Sequence, residues 1–296
     1  MSSRTRVELG LRADLGGDCA NCVGLCCVAL AFARSADFAY DKPAGEPCRN
    51  LDEQDACRVH SELRPNGFKG CTVFDCFGAG QKVTQQTFAG TSWRSDPDIR
   101  AQMFAVFPIV RRLHELLWYL DRALALQVPS ELAARLSETF DHVERISDAE
   151  PDRIRTADVD REFDLARPLL IEASQAARSR DRTRRGKQDR HGAPRRNTGR
   201  NAGRGRVRAG VDLIAADLRD IDLRTGDLRG AFLIAADLRG ADLELCDVLG
   251  ADLRDADVRG ARLEHAIFLT QMQVNAARGD ARTTLPVGFS RPSHWG

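Results

Sequence analysis

The chain has 296 residues, with 44 Lys and Arg against 43 Asp and Glu and a formal net charge of +1. That balance excludes a uniformly basic nucleic-acid binder and a uniformly acidic protein, and the length accommodates one large domain or two to three small ones, each with a modest core. No apolar run reaches the ~18 residues that a bilayer span needs, and residues 1–18 lack the apolar stretch of a signal peptide. The expectation is a cytoplasmic protein that does not enter a membrane.

Residues 1–97 are rich in cysteine, glycine and proline and show little periodicity, which predicts loops and short elements pinned by ligands. Eight of the nine cysteines fall here: Cys19, Cys22, Cys26, Cys27, Cys48, Cys57, Cys71 and Cys76. In a reducing compartment such crowding favours metal ligation over disulfides. All-sulfur donors suit an iron–sulfur cluster, with zinc chemically acceptable. Adjacent thiols at Cys26 and Cys27 can serve two directions, so eight thiolates satisfy two four-ligand sites or one multinuclear cluster. His60 is left open as a further ligand.

Residues 98–178 read as helical. Met103, Val106, Val110, Leu113, Leu117, Leu120 and Leu124 recur at spacings of three and four. Pro108 is expected to begin or kink a helix. A second helix is expected from Ser130, with Leu132, Leu136, Phe140, Val143 and Ile146 on one face. A third is expected over 159–178, interrupted or restarted near Pro168. His114 and His142 read as satisfied or solvated side chains, and the helices as scaffold.

Residues 179–210 read as a basic, flexible linker. Between Ser179 and Arg208 stand eleven arginines and one lysine against two aspartates, with too little apolar surface to fold alone. Loose phosphate contact with nucleic acid is the functional reading of such a segment, and a soluble spacer the ordinary one.

Residues 211–270 form twelve five-residue units, from VDLIA and ADLRD to ARLEH and AIFLT. Their centres are Leu213, Leu218, Leu223, Leu228, Leu233, Leu238, Leu243, Val248, Leu253, Val258, Leu263 and Phe268. A period of five fits neither a helix nor a flat strand. It fits a square coil of four units per turn, in which residues twenty apart stack and the small residue two places before each centre turns inward. Cys246 occupies such a small position and reads as core. The segment holds thirteen acidic residues and seven arginines, and the column Arg219, Arg239, Arg259 runs beside Asp217, Asp237, Asp257. An apolar patch at Leu249, Ile267 and Leu269 is expected to receive the tail, residues 271–296, or a second copy of the chain. Leu285, Phe289 and Trp295 are expected to cap the open edge.

Two resemblances follow from these motifs. The repeat resembles the pentapeptide-repeat family, and its ending resembles an actinobacterial subset; this implies a right-handed quadrilateral β-helix, a protein partner and, for some members, imitation of DNA toward type II topoisomerases. The run Cys19-Ala-Asn-Cys22-Val-Gly-Leu-Cys26-Cys27, with Cys48-Arg-Asn-Leu51, Cys57-Arg-Val-His60, Arg64-Pro65, Cys71 and Cys76, resembles the CxxCxxxCC class of zinc- or iron-chelating domains. A tyrosine is common in that class near the position of His60.

The fold class read from the sequence is multidomain α+β: a cysteine-rich metal-binding region, a helical region and a carboxy-terminal β-helix. The functional reading is a metal-binding interaction scaffold. The alternatives are a metal-dependent redox or substrate-modifying enzyme and a DNA-mimic topoisomerase modulator. No phosphate loop, dinucleotide fingerprint, HExxH helix or serine elbow is present. A homodimer is left open.

Overall fold

The computed structural model describes residues 15–189, 207–219 and 221–296. Two compact units emerge, one made of Met1–Asp121 and Ala134–Pro168, the other of Arg122–Ala133 and Leu169–Gly296.

In the first unit the cysteine-rich segment has only short helical pieces. These are a 3₁₀ turn Cys19–Asn21, α1 (Leu25–Ala29), a 3₁₀ turn His60–Glu62, α2 (Lys69–Val73), α3 (Ala79–Gln81) and a π-helical turn Lys82–Thr87. Single antiparallel bridges, Phe32 to Lys42 and Leu51 to Cys57, close its loops. Because such pieces bury little surface of their own, they pack on a long amphipathic helix, α4 (Pro97–Ala125). Leu25, Val28, Leu51, Val83 and Trp93 share one core with Met103, Val106, Phe107 and Val110 of α4. The Trp93 indole N–H donates to the Val23 carbonyl at 2.8 Å, tying the loop between the thiols to this core.

The heptad-like stripe of α4 is buried as the spacing requires, apart from half-buried Leu124. Pro108 lies inside α4 and neither begins nor ends it. Likewise α5 is Ser130–Ser147, α6 is Pro151–Arg155, and α7 runs from Val159 to Asp189 through Pro168. Each proline removes one ladder donor, yet the helix around it is long enough to persist. His114 is buried and satisfied, its Nδ1 2.8 Å from the Phe77 carbonyl and its Nε2 3.0 Å from Ser147 Oγ. His142 meets Glu162 at 3.2 Å.

The continuation of α7 corrects the reading of 179–189 as linker. A helix already nucleated extends at the cost of one residue at a time, and its cations find acceptors: Arg180 donates to the carbonyls of Leu126 and Gln127, and Arg182 to Thr225. Of the rest of the expected linker, 190–206 lies outside the described residues.

In the second unit the five-residue repeat coils with the expected register. Parallel bridges join residues twenty apart, through Asp212, Phe232 and Asp252 on one side, Asp217, Asp237 and Asp257 on the next, then Asp222, Asp242 and Arg262, and Asp227, Asp247 and Ile267. From Leu213 to Val248 each central N–H reaches the coil above, as in Leu238 to the Asp257 carbonyl at 2.8 Å. The expected β-helix is itself corrected to a coil of single bridges: among the described residues every bridge is isolated, and no continuous strand forms. The cause is the turn that closes every unit. Ala236 N–H bonds back to the Leu233 carbonyl at 3.0 Å, and the residue between them in the turn, Ala235, holds φ +55°. With one residue in five in left-handed conformation, extended backbone never lengthens beyond a single paired residue.

The central residues and the alanines beside them form a continuous core, with Cys246 wholly buried in it. The tail closes its end. Thr270 and Gln273 form a reciprocal cap on α8 (Gln271–Ala276). Arg278 and Thr284 then pair with Asp257 and Arg262, covering the last coil's free edge. Trp295 joins the core and bonds the Ala277 carbonyl at 3.0 Å, with Leu285 and Phe289 packed alongside. Ile267, Phe268 and Leu269 are buried. On the side carrying Asp227 the covering element is α7, not the tail: Arg178 pairs with Asp227 at 3.5 Å.

Candidate functional site

The eight amino-terminal cysteines are all free thiols and are divided by the fold. Cys22 and Cys76 flank Gly80 so closely that a Cβ there would lie 2.7 Å from the Cys22 sulfur and 3.9 Å from that of Cys76. Gly80 is therefore a glycine by close approach. Cys76 senses the charges of Asp75, Cys22 and Cys19, and Cys26 those of Cys27, Cys22 and Cys76. This makes one group: Cys19, Cys22, Cys26 and Cys76.

The second group is Cys27, Cys48, Cys57 and Cys71. Cys71 senses Cys27, Cys48 and Cys57, and Cys57 senses Cys27 and Cys48. Cys48 N–H donates to the Cys27 carbonyl at 2.9 Å, which docks the loop carrying Cys48 on α1. Gly24, at φ +70° just before α1, makes that arrangement reachable, since any side chain there would also meet Leu51 at 2.9 Å. The two groups touch at Cys26 and Cys27, whose sulfurs are 3.9 Å apart.

Burial sets the electrostatics. It pushes the Cys22 thiol to about 11 and those of Cys71 and Cys76 to about 12, because a thiolate loses its hydration inside the fold. Cys26 is also pushed up, first by donating its S–H to Cys27; that same hydrogen bond pulls Cys27 below the ordinary thiol range, with Lys42 adding to the effect. Clustered, desolvated thiols of this kind are costly when ionised and empty of counter-charge, which is the environment a cation relieves. Among the described residues, no three Cys, His, Asp or Glu side chains are drawn together tightly enough to hold an ion. The thiols are grouped, then, without being closed into a coordination shell. His60 is exposed on the turn after Cys57 and joins neither group.

Several residues around the thiols escaped the sequence reading. Tyr40 Oη lies 3.1 Å from the Cys48 sulfur and accepts the Arg49 N–H at 3.0 Å. Thr84, on the π-helical turn, accepts the Val23 N–H at 3.3 Å and donates its hydroxyl to the Gly80 carbonyl at 2.8 Å. Lys42 is buried beside Cys27 and Cys48. None sits in a recognisable motif, and each meets its partner across a loop, so no local spacing marked it.

On the coil, every arginine of the column pairs with the aspartate two residues before it. Arg239 donates to Asp237 through Nε at 2.8 Å and Nη2 at 2.6 Å, and reaches Asp257 of the next coil at 3.8 Å. Opposite charges are laced along and between coils.

With this geometry in view, the repeat defines the chain as a pentapeptide-repeat protein: the family pattern, described as pentapeptide repeats, matches residues 209–244 and 233–268 in eight copies. More particularly, the chain is 48% identical over 295 residues to the uncharacterized protein YybG of Bacillus subtilis, covering 100% of both chains, and it belongs to the same family. Among solved structures it is similar to a pentapeptide repeat protein from the Arabidopsis thaliana thylakoid lumen, at 28% identity and a TM-score of 0.21, over 30% of this chain and 65% of that one, just under two thirds of its length. It is also similar to the pentapeptide repeat protein Rfr23 from the cyanobacterium Cyanothece, at 26% identity and a TM-score of 0.14, over 30% of this chain and 63% of that one. Among the described residues no helix is long and apolar enough to cross a membrane.

Proposed function

We propose that the eight thiols hold metal in two four-sulfur centres, iron–sulfur or zinc, and that the protein is a metal-carrying scaffold whose coil, of the right-handed quadrilateral kind, presents a surface to a protein partner. The division of the cysteines into two groups of four, meeting at the neighbours Cys26 and Cys27, carries this reading. Cys19, Cys22, Cys26 and Cys76 would hold one centre, and Cys27, Cys48, Cys57 and Cys71 the other. Four thiolates suit both candidates, since zinc takes a tetrahedral sulfur set and a cubane cluster takes four cysteines. Binding would release protons from thiols that burial keeps protonated and would convert that burial into folding free energy.

A partner is favoured over an enzymatic role because the motifs of common catalysts are absent from the sequence, and the coil offers an ordered outer face. The DNA-mimic reading is disfavoured by the Asp–Arg lacing, which breaks a continuous negative surface. Anaerobic purification with quantification of metal and acid-labile sulfide tests the proposal. Two zinc ions per chain, or iron with matching sulfide, is the expected result. A folded, reduced protein that neither retains nor takes up either metal overturns it.

A further inference from the structure

Over much of the coil the outward positions of a unit carry an aspartate and, two residues on, an arginine, as in Asp217 with Arg219 and Asp237 with Arg239. One side departs from that pattern. Its three rungs are 211–215, 231–235 and 251–255, joined by bridges through Asp212, Phe232 and Asp252. The lowest rung presents Asp212 and Ile214, the middle one Phe232 and Ile234, and the uppermost Asp252 and Arg254. Ile214 is 51% exposed and Phe232 49%, two of the four large apolar side chains exposed among the described residues. A single exposed apolar side chain is ordinary, but these two stand on adjacent rungs of one side, where the repeat elsewhere places charge. They add nothing to the core, which Ala231 and Leu233 fill behind them.

This side has no open strand edge. Leu213 N–H donates to the Phe232 carbonyl, Phe232 N–H to that of Val211 and Leu233 N–H to that of Asp252, each at 2.9 Å. A partner must therefore be held by side chains, and its charges must suit an acid on the lowest rung and an Asp–Arg pair on the uppermost. The patch that the sequence offered for a second copy is buried at Ile267 and Leu269 and cannot serve.

A second copy of the present side meets both conditions. Two such sides laid face to face, about a two-fold axis that crosses the middle rung, seat Phe232 on Phe232 and Ile234 on Ile234. The coils stay in step because both rise by the same ~4.8 Å per rung. The lowest rung of each copy then faces the uppermost rung of the other, which brings Asp212 to the Asp252–Arg254 pair and Ile214 to the aliphatic stem of Arg254. Asp212 accepts the Ile214 N–H at 3.0 Å and forms no ion pair among the described residues. Arg254 is held by Asp252 at 2.6 Å with 65% of its side chain exposed. An arginine between two aspartates is what the coil already builds within itself, since Arg219 contacts Asp217 at 2.7 Å and Asp237 at 3.7 Å.

We propose that this side of the coil is a homodimer interface, with Phe232 and Ile234 at its centre and Asp212-to-Arg254 contacts at both ends. It names the protein partner that the scaffold reading above leaves general; it rests on that half of the reading and is independent of the metal. Three rungs make a small face, so the dimer is expected to dissociate on dilution through the micromolar range.

Sedimentation velocity of the full chain under reducing conditions, from about 1 to about 300 µM, should show a monomer–dimer equilibrium. Phe232→Asp restores the residue type that the repeat carries elsewhere, so the coil should keep its unfolding midpoint while the dimer weakens about thirtyfold or more, the scale of a central aromatic contact. Arg254→Glu should weaken the dimer about tenfold, and Asp212→Arg added to the same chain should recover the parental constant. A dimer of parental strength in folded Phe232→Asp overturns the inference, as does failure of Asp212→Arg to recover what Arg254→Glu loses. A parent that stays monomeric at the highest concentration also overturns it and leaves the face to a different chain, while the metal-carrying reading then stands or falls on metal content alone. A parent that dimerises through Phe232 but holds no metal keeps the interface and removes the metal.

Discussion

At the scale of single residues, the repeat is governed by what each of five positions must tolerate. In nine of the units the closing residue sits at positive φ: Gly230, Gly240, Gly250 and Gly260 on some sides, Ala215, Thr225, Ala235, Leu245 and Asp255 on others. At Gly250, φ is +64° and nothing lies within 4 Å of an added Cβ. Gly250→Ala should therefore cost only the conformational penalty, about 1 kcal/mol, read as a lower unfolding midpoint; no change would mean that the turn relaxes freely. The central position behaves differently. Leu238 is wholly buried, so Leu238→Asp should cost about 4 kcal/mol or more by placing a charge in a dry stack. Arg239→Gln, at an exposed pair, should lower the midpoint far less. Similar midpoints for the two variants would contradict the register.

At the scale of elements, the paired carboxylates make the coil sensitive to acid. Hydrogen bonds from Arg239, Arg254 and Arg259 hold Asp237, Asp252 and Asp257 below the ordinary carboxylate range. A carboxyl whose folded pKa is depressed stabilises the fold above its unfolded value, near 3.9, and that stabilisation is lost as pH falls through the lower folded value. Thermal unfolding should thus be nearly flat from pH 7 to about 5 and fall below about 4, and Asp237→Asn should flatten that fall. A parent midpoint unchanged down to pH 2 would rule out the pairing as a source of stability. Asp247 opposes the trend, since burial pushes it up despite Ser174, Leu249 and the arginines nearby.

Elements also show what the sequence could and could not disclose. The stripes of α4 and α5 and the register of the coil were legible because each is periodic, and periodicity survives without knowledge of the partner surface. Pro168 misled because local propensity argues for a break, while the packed face of the helix outweighs the one hydrogen bond lost. The run of α7 to Asp189 was hidden by composition. Arginines look like solvent-exposed linker until Arg178 and Arg182 meet Asp227 and Thr225, which lie more than forty residues away. The absence of continuous strands follows from left-handed turns that a five-letter pattern does not advertise at Ala235 or Leu245.

At the scale of the whole molecule, the chain joins a loop-rich unit organised around thiols to a unit organised around a repeat. The cysteines themselves stood out at once, and their number suggested two four-ligand sites. Which four belong together was not legible, because Cys76 joins Cys22 across more than fifty residues and Cys27 parts from its own neighbour. Lys42, Tyr40 and Thr84 were silent for the same reason: their meaning is set by loops that bring distant residues together. The central claim is that the two groups are separate centres, and metal content of paired variants tests it most directly. Cys22→Ser with Cys76→Ser, and separately Cys57→Ser with Cys71→Ser, should each remove half of the bound metal and leave the other half at parental affinity. Loss of all metal from either pair, or full retention by both in folded protein, would contradict two independent four-sulfur centres.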